Sequence, residues 1–185
     1  MKARIIAVAL AAGLLLATAP IANAEERVCR GSLGRVTVDN LRVPDGATCT
    51  LNGTTVKGTI KVESRATLVA DDIKVVGNVQ AENAKKVVVR SGSTVGGSVQ
   101  IVQGGASRIA RTTIEGDILF DDQTQALAAV RNTVGGNIQA FQNTGGIEIS
   151  FNRVDGNLQC KENKPAPTGG GNIVDGSKED QCAKL

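Results

Sequence analysis

The chain has 185 residues, with 21 Lys plus Arg against 18 Asp plus Glu and a formal net charge of +3. It contains no His, Tyr or Trp, which excludes His-based nucleophilic triads, the usual zinc sites and the usual aromatic shelves for sugars and single strands. Without residues 1–24, which include Lys2 and Arg4, the net charge falls to +1; with no Lys/Arg run elsewhere, nucleic acid is not an expected partner.

The N-terminus reads as a processing signal. Met1-Lys2-Ala3-Arg4 is basic, Ile5 to Ala17 is apolar, and Ala22-Asn23-Ala24 has the small residues of a cleavage site. The apolar run is short for a span, and Gln181-Cys182-Ala183-Lys184-Leu185 is no hydrophobic tail. The expected product begins at Glu25 and is exported, extracellular or periplasmic, with no membrane span in the mature chain.

Residues 25–57 are read as an N-terminal cap and first coil. Gly34 is followed by Val36 and Val38, and the longer gap to Gly58 is assigned to a loop at Val43-Pro44-Asp45-Gly46, where Pro-Asp-Gly is turn chemistry. Asn52-Gly53-Thr54 fits a glycosylation acceptor but is read as a turn.

One phrase then recurs: Val/Ile, any residue, Gly, a small polar residue and usually an aliphatic. The copies centre on Gly58, Gly77, Gly97, Gly116, Gly136, Gly156 and a degenerate Gly176, spaced 19, 20, 19, 20, 20 and 20 residues apart. A fixed period of this size marks a solenoid, whose repeats bury their apolar faces on their neighbours. Two and four places after each glycine stand Ile60/Val62, Val79/Ala81, Val99/Ile101, Ile118/Phe120, Ile138/Ala140 and Leu158/Cys160, expected to point inward. A second inward cluster is read as Ala66/Leu68, Val87/Val89, Ala106/Ile109, Leu127/Ala129 and Ile147/Ile149. The turns carry amide series at 20-residue intervals: Asn83, Gln103, Gln123, Asn143 and Asn163, and separately Asn132, Asn152 and Asn172.

The predicted fold is all-β: a right-handed parallel β-helix of about seven coils, with its coils in 58–160 and a loop and C-terminal cap in 161–185. The hexapeptide sub-period of left-handed helices is missing. Cys29, Cys49, Cys160 and Cys182 lie at the two ends, and an exported chain with four cysteines implies two disulfides. Two of the three pairings would span the rod, which disulfide geometry forbids, so Cys29–Cys49 and Cys160–Cys182 are expected. Lys178-Glu179-Asp180 should blunt the last edge.

The candidate binding face is the polar outer side of the first strand: Asn78, Gln80, Gln100, Asn137, Gln139, Asn157 and Gln159, joined by Glu115 and Asp117. Glu115 and Asp117 are read as projecting together beside a shallow trough over Gly96 and Gly135. Paired carboxylates can do acid–base work, and these acids or Asp71-Asp72 could take calcium weakly. A flat face without an aromatic wall argues against catalysis. No catalytic residue, metal site or cofactor is assigned, and Leu119 stands out in the glutamine column.

The Val-x-Gly-Asn-Val-Gln phrase, with Ala66-Thr67-Leu68 between copies, resembles bactofilins, bacterial polymer-forming proteins with a β-helical core. Gly156 to Asn163, Pro165-Ala166-Pro167 and Lys178 to Cys182 are similar to the ending of a group of exported bacterial proteins without a known activity. These resemblances imply a β-helix and no particular reaction. The expected function is that of a non-catalytic exported β-helix, a rigid structural or interaction module of the cell envelope or its surroundings. The alternatives are a polysaccharide-binding, less readily polysaccharide-degrading, protein and a self-assembling filament. The partner is unknown, with envelope polysaccharide or a second copy as the candidates.

Overall fold

Apolar residues at every second position, repeated every 19 or 20 residues, are all buried only if successive repeats stack in register. The computed structural model, which describes residues 25–185, has this arrangement: three parallel sheets of nine, eight and eight short strands form eight turns. Among the described residues there is no helix. The expected processing signal lies outside them.

A representative turn contributes Val79–Glu82 to the first sheet, Lys86–Arg90 to the second and Thr94–Val95 to the third. The next begins at Val99, paired with Val79. Ile60, Val79, Val99, Ile118, Ile138 and Leu158 stack as one buried column. Each such side chain contributes about 1.5–3 kcal/mol of burial. All the positions expected inward on the first strand are buried, Phe120 being the largest.

The second sheet departs from expectation in two places. Its inward pairs there are Leu68/Ala70 and Ser107/Ile109, while Ala66 is buried at a corner and Ala106 is half-buried. Ser107 occupies the slot that Leu127 fills one turn later, a polar residue where the apolar pattern calls for an aliphatic one.

The count is eight turns rather than seven because residues 26–56 form two. Glu26–Val28, Gly31–Leu33 and Thr37–Val38 make the first; Asn40–Val43, Thr48–Asn52 and Thr55–Val56 make the second. Gly34 is not the counterpart of Gly58: its carbonyl accepts the Thr54 hydroxyl (2.7 Å), placing it at the preceding corner. The true counterpart is Val38-Asp39-Asn40-Leu41, one residue shorter and without glycine, with Val38 beside Val56 and Leu41 beside Ile60. Pro44-Asp45-Gly46 is therefore an ordinary corner, not an insertion. The segment 161–185, expected as a loop and C-terminal cap, includes Thr168–Gly170, the last strand of the second sheet.

Both expected disulfides are present. Cys29–Cys49 joins the first two turns and Cys160–Cys182 joins the eighth turn to the C-terminal segment, with Cα atoms 5.6 and 5.2 Å apart. Lys178–Asp180 is the outermost strand of the nine-stranded sheet, and its charges oppose further pairing.

The phrase glycines do not take positive φ, so conformational freedom is not what requires them. A Cβ on Gly97 would lie 2.3 Å from Asn78 Oδ1, and one on Gly136 would lie 2.3 Å from Asp117 Oδ1. The small polar side chain of one turn thus occupies the space a side chain on the next turn's glycine would need.

Candidate binding faces

The residue after each phrase glycine belongs to a column running Asn40, Thr59, Asn78, Ser98, Asp117, Asn137, Asn157 and Ser177. Each side-chain oxygen accepts the backbone N–H of the next member. Ser98 N–H donates to Asn78 Oδ1 (2.8 Å), Asp117 N–H to Ser98 Oγ (3.0 Å) and Asn137 N–H to Asp117 Oδ1 (2.6 Å). Asn157 N–H and Ser177 N–H continue the series at 2.8 Å each. Four of the candidate face residues, Asn78, Asp117, Asn137 and Asn157, are therefore half-buried members of an internal ladder.

The glutamines lie one column over, facing out. Gln80 Nε2 donates to Gln100 Oε1 (3.3 Å), Gln139 Nε2 to Gln159 Oε1 (2.9 Å) and Gln159 Nε2 to Glu179 Oε2 (2.9 Å). Leu119 sits in register between Gln100 and Gln139, without a bulge, and divides the column in two. At the N-terminal part an open cleft of about 670 Å³ is lined by Lys61, Gln80 and Gln100 with Asp45, Glu63 and Glu82 at its side. These amides and charges can hydrogen-bond hydroxyl groups, and no aromatic ring lines the cleft.

The expected carboxylate trough is not formed. Glu115 is exposed, whereas Asp117 Oδ1 also accepts from Asn137 Nδ2 (2.9 Å) and is turned into its ladder. A Cβ on Gly135 would meet the Glu115 carbonyl oxygen at 2.5 Å, so this glycine allows close stacking of backbones rather than leaving a depression. Asp71 is engaged as well: Arg90 Nε and Nη2 donate to its two carboxylate oxygens at 2.7 and 3.3 Å. That hydrogen bond holds the Asp71 carboxyl below the ordinary carboxylate range and raises Arg90.

The amide series at 20-residue intervals separates into two positions. Asn83 and Gln103 are exposed corner residues with positive φ (54° and 51°). Gln123, Asn143 and Asn163 are buried, one place further along the turn. Asn143 Nδ2 donates to Phe120 O (3.1 Å) and Asn163 Oδ1 (2.8 Å), and Asn143 Oδ1 accepts Gln123 N–H (3.0 Å). Asn132, Asn152 and Asn172 form an equivalent buried column at the next corner, with Asn152 Nδ2 donating to Ala129 O (2.8 Å) and Asn172 Oδ1 (2.9 Å). These buried amides fasten the corners through hydrogen bonds to backbone groups and to one another.

A feature not anticipated from the sequence lies at that next corner, on the outside. Arg90, Arg108, Arg111 and Arg131 line one recess there. Arg111 and Arg131 are 20 residues apart, so a search of basic residues by the repeat period would have found the pair.

The chain matches no protein-family model, no curated protein and no solved structure.

Proposed function

We propose that this protein is a non-catalytic, exported β-solenoid serving as a rigid structural or interaction module of the cell envelope or extracellular space. The observation carrying this reading is the continuous side-chain ladder from Asn40 to Ser177, which fastens turn to turn the polar groups of the face best suited to chemistry. Disulfides at both ends support it, since small exported domains are commonly closed this way. The resemblance of Gly156 to Asn163, Pro165-Ala166-Pro167 and Lys178 to Cys182 to the ending of exported bacterial proteins points the same way.

Expressed with its own N-terminus in a bacterial host, the protein should be recovered outside the cytoplasm, starting at Glu25 and resistant to proteases. An unprocessed chain retained in the cytoplasm with free thiols would overturn the export part. Ready proteolysis within the turns would overturn the rigid-module part.

The cleft along Lys61, Gln80 and Gln100 favours polysaccharide binding as a second reading, since its amides present donors and acceptors outward. Saturable binding to envelope polysaccharide, lost in a Gln80/Gln100/Gln139 triple alanine variant, would place this reading first.

A further inference from the structure

The corner between the second and third sheets has a left-handed residue in each turn from the second to the eighth: Gly53, Asp72, Ser91, Arg111, Arg131, Phe151 and Gly171, with φ between 52° and 68°; in the fourth turn Gly92 (φ 80°) follows Ser91. Glycine suits this conformation and Asp tolerates it, while longer side chains, which gain nothing from it locally, occupy it at other corners too, Arg65 and Gln142 among them. Two successive turns nonetheless carry Arg111 and Arg131, about 4.8 Å apart along the axis.

Arg90, at the end of Lys86–Arg90, and Arg108, on the outer side of Ala106–Ala110, converge on the same place. With Ser91 they and the corner arginines enclose a recess of about 230 Å³, floored by Ala110 and Val130 and lined by no acidic residue. Arg90 is paired with Asp71. For Arg108, Arg111 and Arg131 no carboxylate lies within 4.0 Å among the described residues. The Arg131 guanidinium lies over the Phe151 ring, 5.4 Å from its centroid. That ring, 60% exposed, rests on Gly171, where a Cβ would come within 2.8 Å of it, and offers its face to Arg131.

Three uncompensated guanidiniums around a small recess repel one another, and an anion relieves them through charge-assisted, bidentate hydrogen bonds. The cluster is bounded: Asp71 and Asp72 lie one turn before its first corner residue and Phe151 follows its last. It therefore spans three turns, about 10 Å. That length suits one anionic group and is too short for the many phosphate contacts of a nucleic-acid track.

We infer that this corner binds a single phosphate-class oxyanion, free or as the monoester of a sugar, through Arg108, Arg111 and Arg131. The site follows from the fold and does not depend on the export or module reading.

The test is titration of the protein with inorganic phosphate and, separately, glucose 6-phosphate at low ionic strength, followed by calorimetry and arginine side-chain NMR. One-site saturation is expected, with affinity falling about tenfold or more in R111N/R131N. Asparagine accepts the left-handed conformation, so this variant should keep or raise Tm, which separates lost binding from lost folding. R153N, at an arginine paired with Asp175, should bind as the parent does. Tighter binding of the ester would assign a sugar phosphate, and equal binding a free anion; both support the site. No saturation with either probe, or unchanged affinity in R111N/R131N, overturns it. Preferred binding of a DNA oligonucleotide, with a salt dependence of more than four released ions, replaces it with a polyanion track.

Discussion

The Oδ1 atom of Asn137 lies 2.6 Å from where a Cβ on Gly156 would stand, and the same oxygen accepts the N–H of Asn157 at 2.8 Å. Side chain and glycine are complementary halves of one contact between turns, which is why they recur together in the phrase. G156A should therefore displace the Asn137 amide and lose its bond, lowering stability by about 1–3 kcal/mol. G34A is the control, because a Cβ there has nothing within 4 Å. Urea denaturation of the two variants checks the contrast.

Asn152 illustrates the cost of breaking a buried column. Its Oδ1 accepts both the N–H and Nδ2 of Asn132 (3.0 Å each), and its own Nδ2 supplies Ala129 O. N152A removes these bonds, leaving the buried Asn132 N–H without its acceptor and Asn132 Nδ2 with only its bond to Ile109 O. Stability should fall by about 2–4 kcal/mol, with the urea midpoint reduced and the m-value kept.

Gln123 offers the opposite case. Its longer side chain sends Nε2 to both Ile101 O (3.0 Å) and Asp121 O (2.8 Å), and its buried Oε1 has no partner among the described residues. Asn143 and Asn163, one and two turns on, place Oδ1 against the backbone N–H of the preceding turn. In Q123N the shorter amide should reach the Gly104 N–H in the same way. A gain of about 1 kcal/mol is expected, read as a Tm rise of about 2–4 °C.

Acid should weaken the surface pairing of Asp71 with Arg90. Arg90's hydrogen bond lowers the Asp71 pKa in the folded chain. A lowered folded pKa contributes stability that is present above the unfolded value, near pH 4, and lost as the pH falls through the folded one. D71N should therefore flatten the dependence of unfolding free energy on pH on the acid side while changing little at high salt. Urea titrations at several pH values between neutral and strongly acidic, with and without salt, measure this.

Removing the first disulfide should act locally. Cys29 and Cys49 close a 20-residue separation, worth about 3 kcal/mol in the chain-entropy model. In C29S/C49S the amides of Glu26–Val28 and Gly31–Leu33 should exchange with solvent before those of Val79–Glu82, by hydrogen-exchange mass spectrometry.

The solenoid was legible because burial demands period 2 within a strand and the glycine contact demands one phrase per turn. The end pairing of the cysteines followed from that rod. The early turns are not legible in the same way, because Asp39 and Asn40 replace the glycine phrase with one residue fewer and Gly34 imitates the phrase out of register. The amide series was misread because turn length varies at different corners. Gly92 is an extra residue at one corner of the turn from Val79, whereas the turn from Ile118 has its extra residue between Asp122 and Leu127. Counting every 20 residues crosses the 19-residue turn between Gly97 and Gly116 and shifts from an exposed site to a buried one. Outward residues such as Arg108 and Arg131 obey no burial rule, so only the register reveals that they meet.

The hydrogen bonds of the side-chain columns all have a sense. In the column from Asn40 to Ser177 each backbone N–H reaches back to the preceding turn, whereas in the buried asparagine columns it reaches forward. The rod is consequently a polar object, like a magnet with two unlike poles. One terminus carries the free acceptor of Ser177, and the opposite terminus begins with the amide of Asn40, which borrows the carbonyl of Glu25. Two copies meeting like end to like end would bring the parallel sheets and their columns together in opposite senses. Only a head-to-tail arrangement would carry both kinds of column, and the parallel pairing of the sheets, on from one copy to the next.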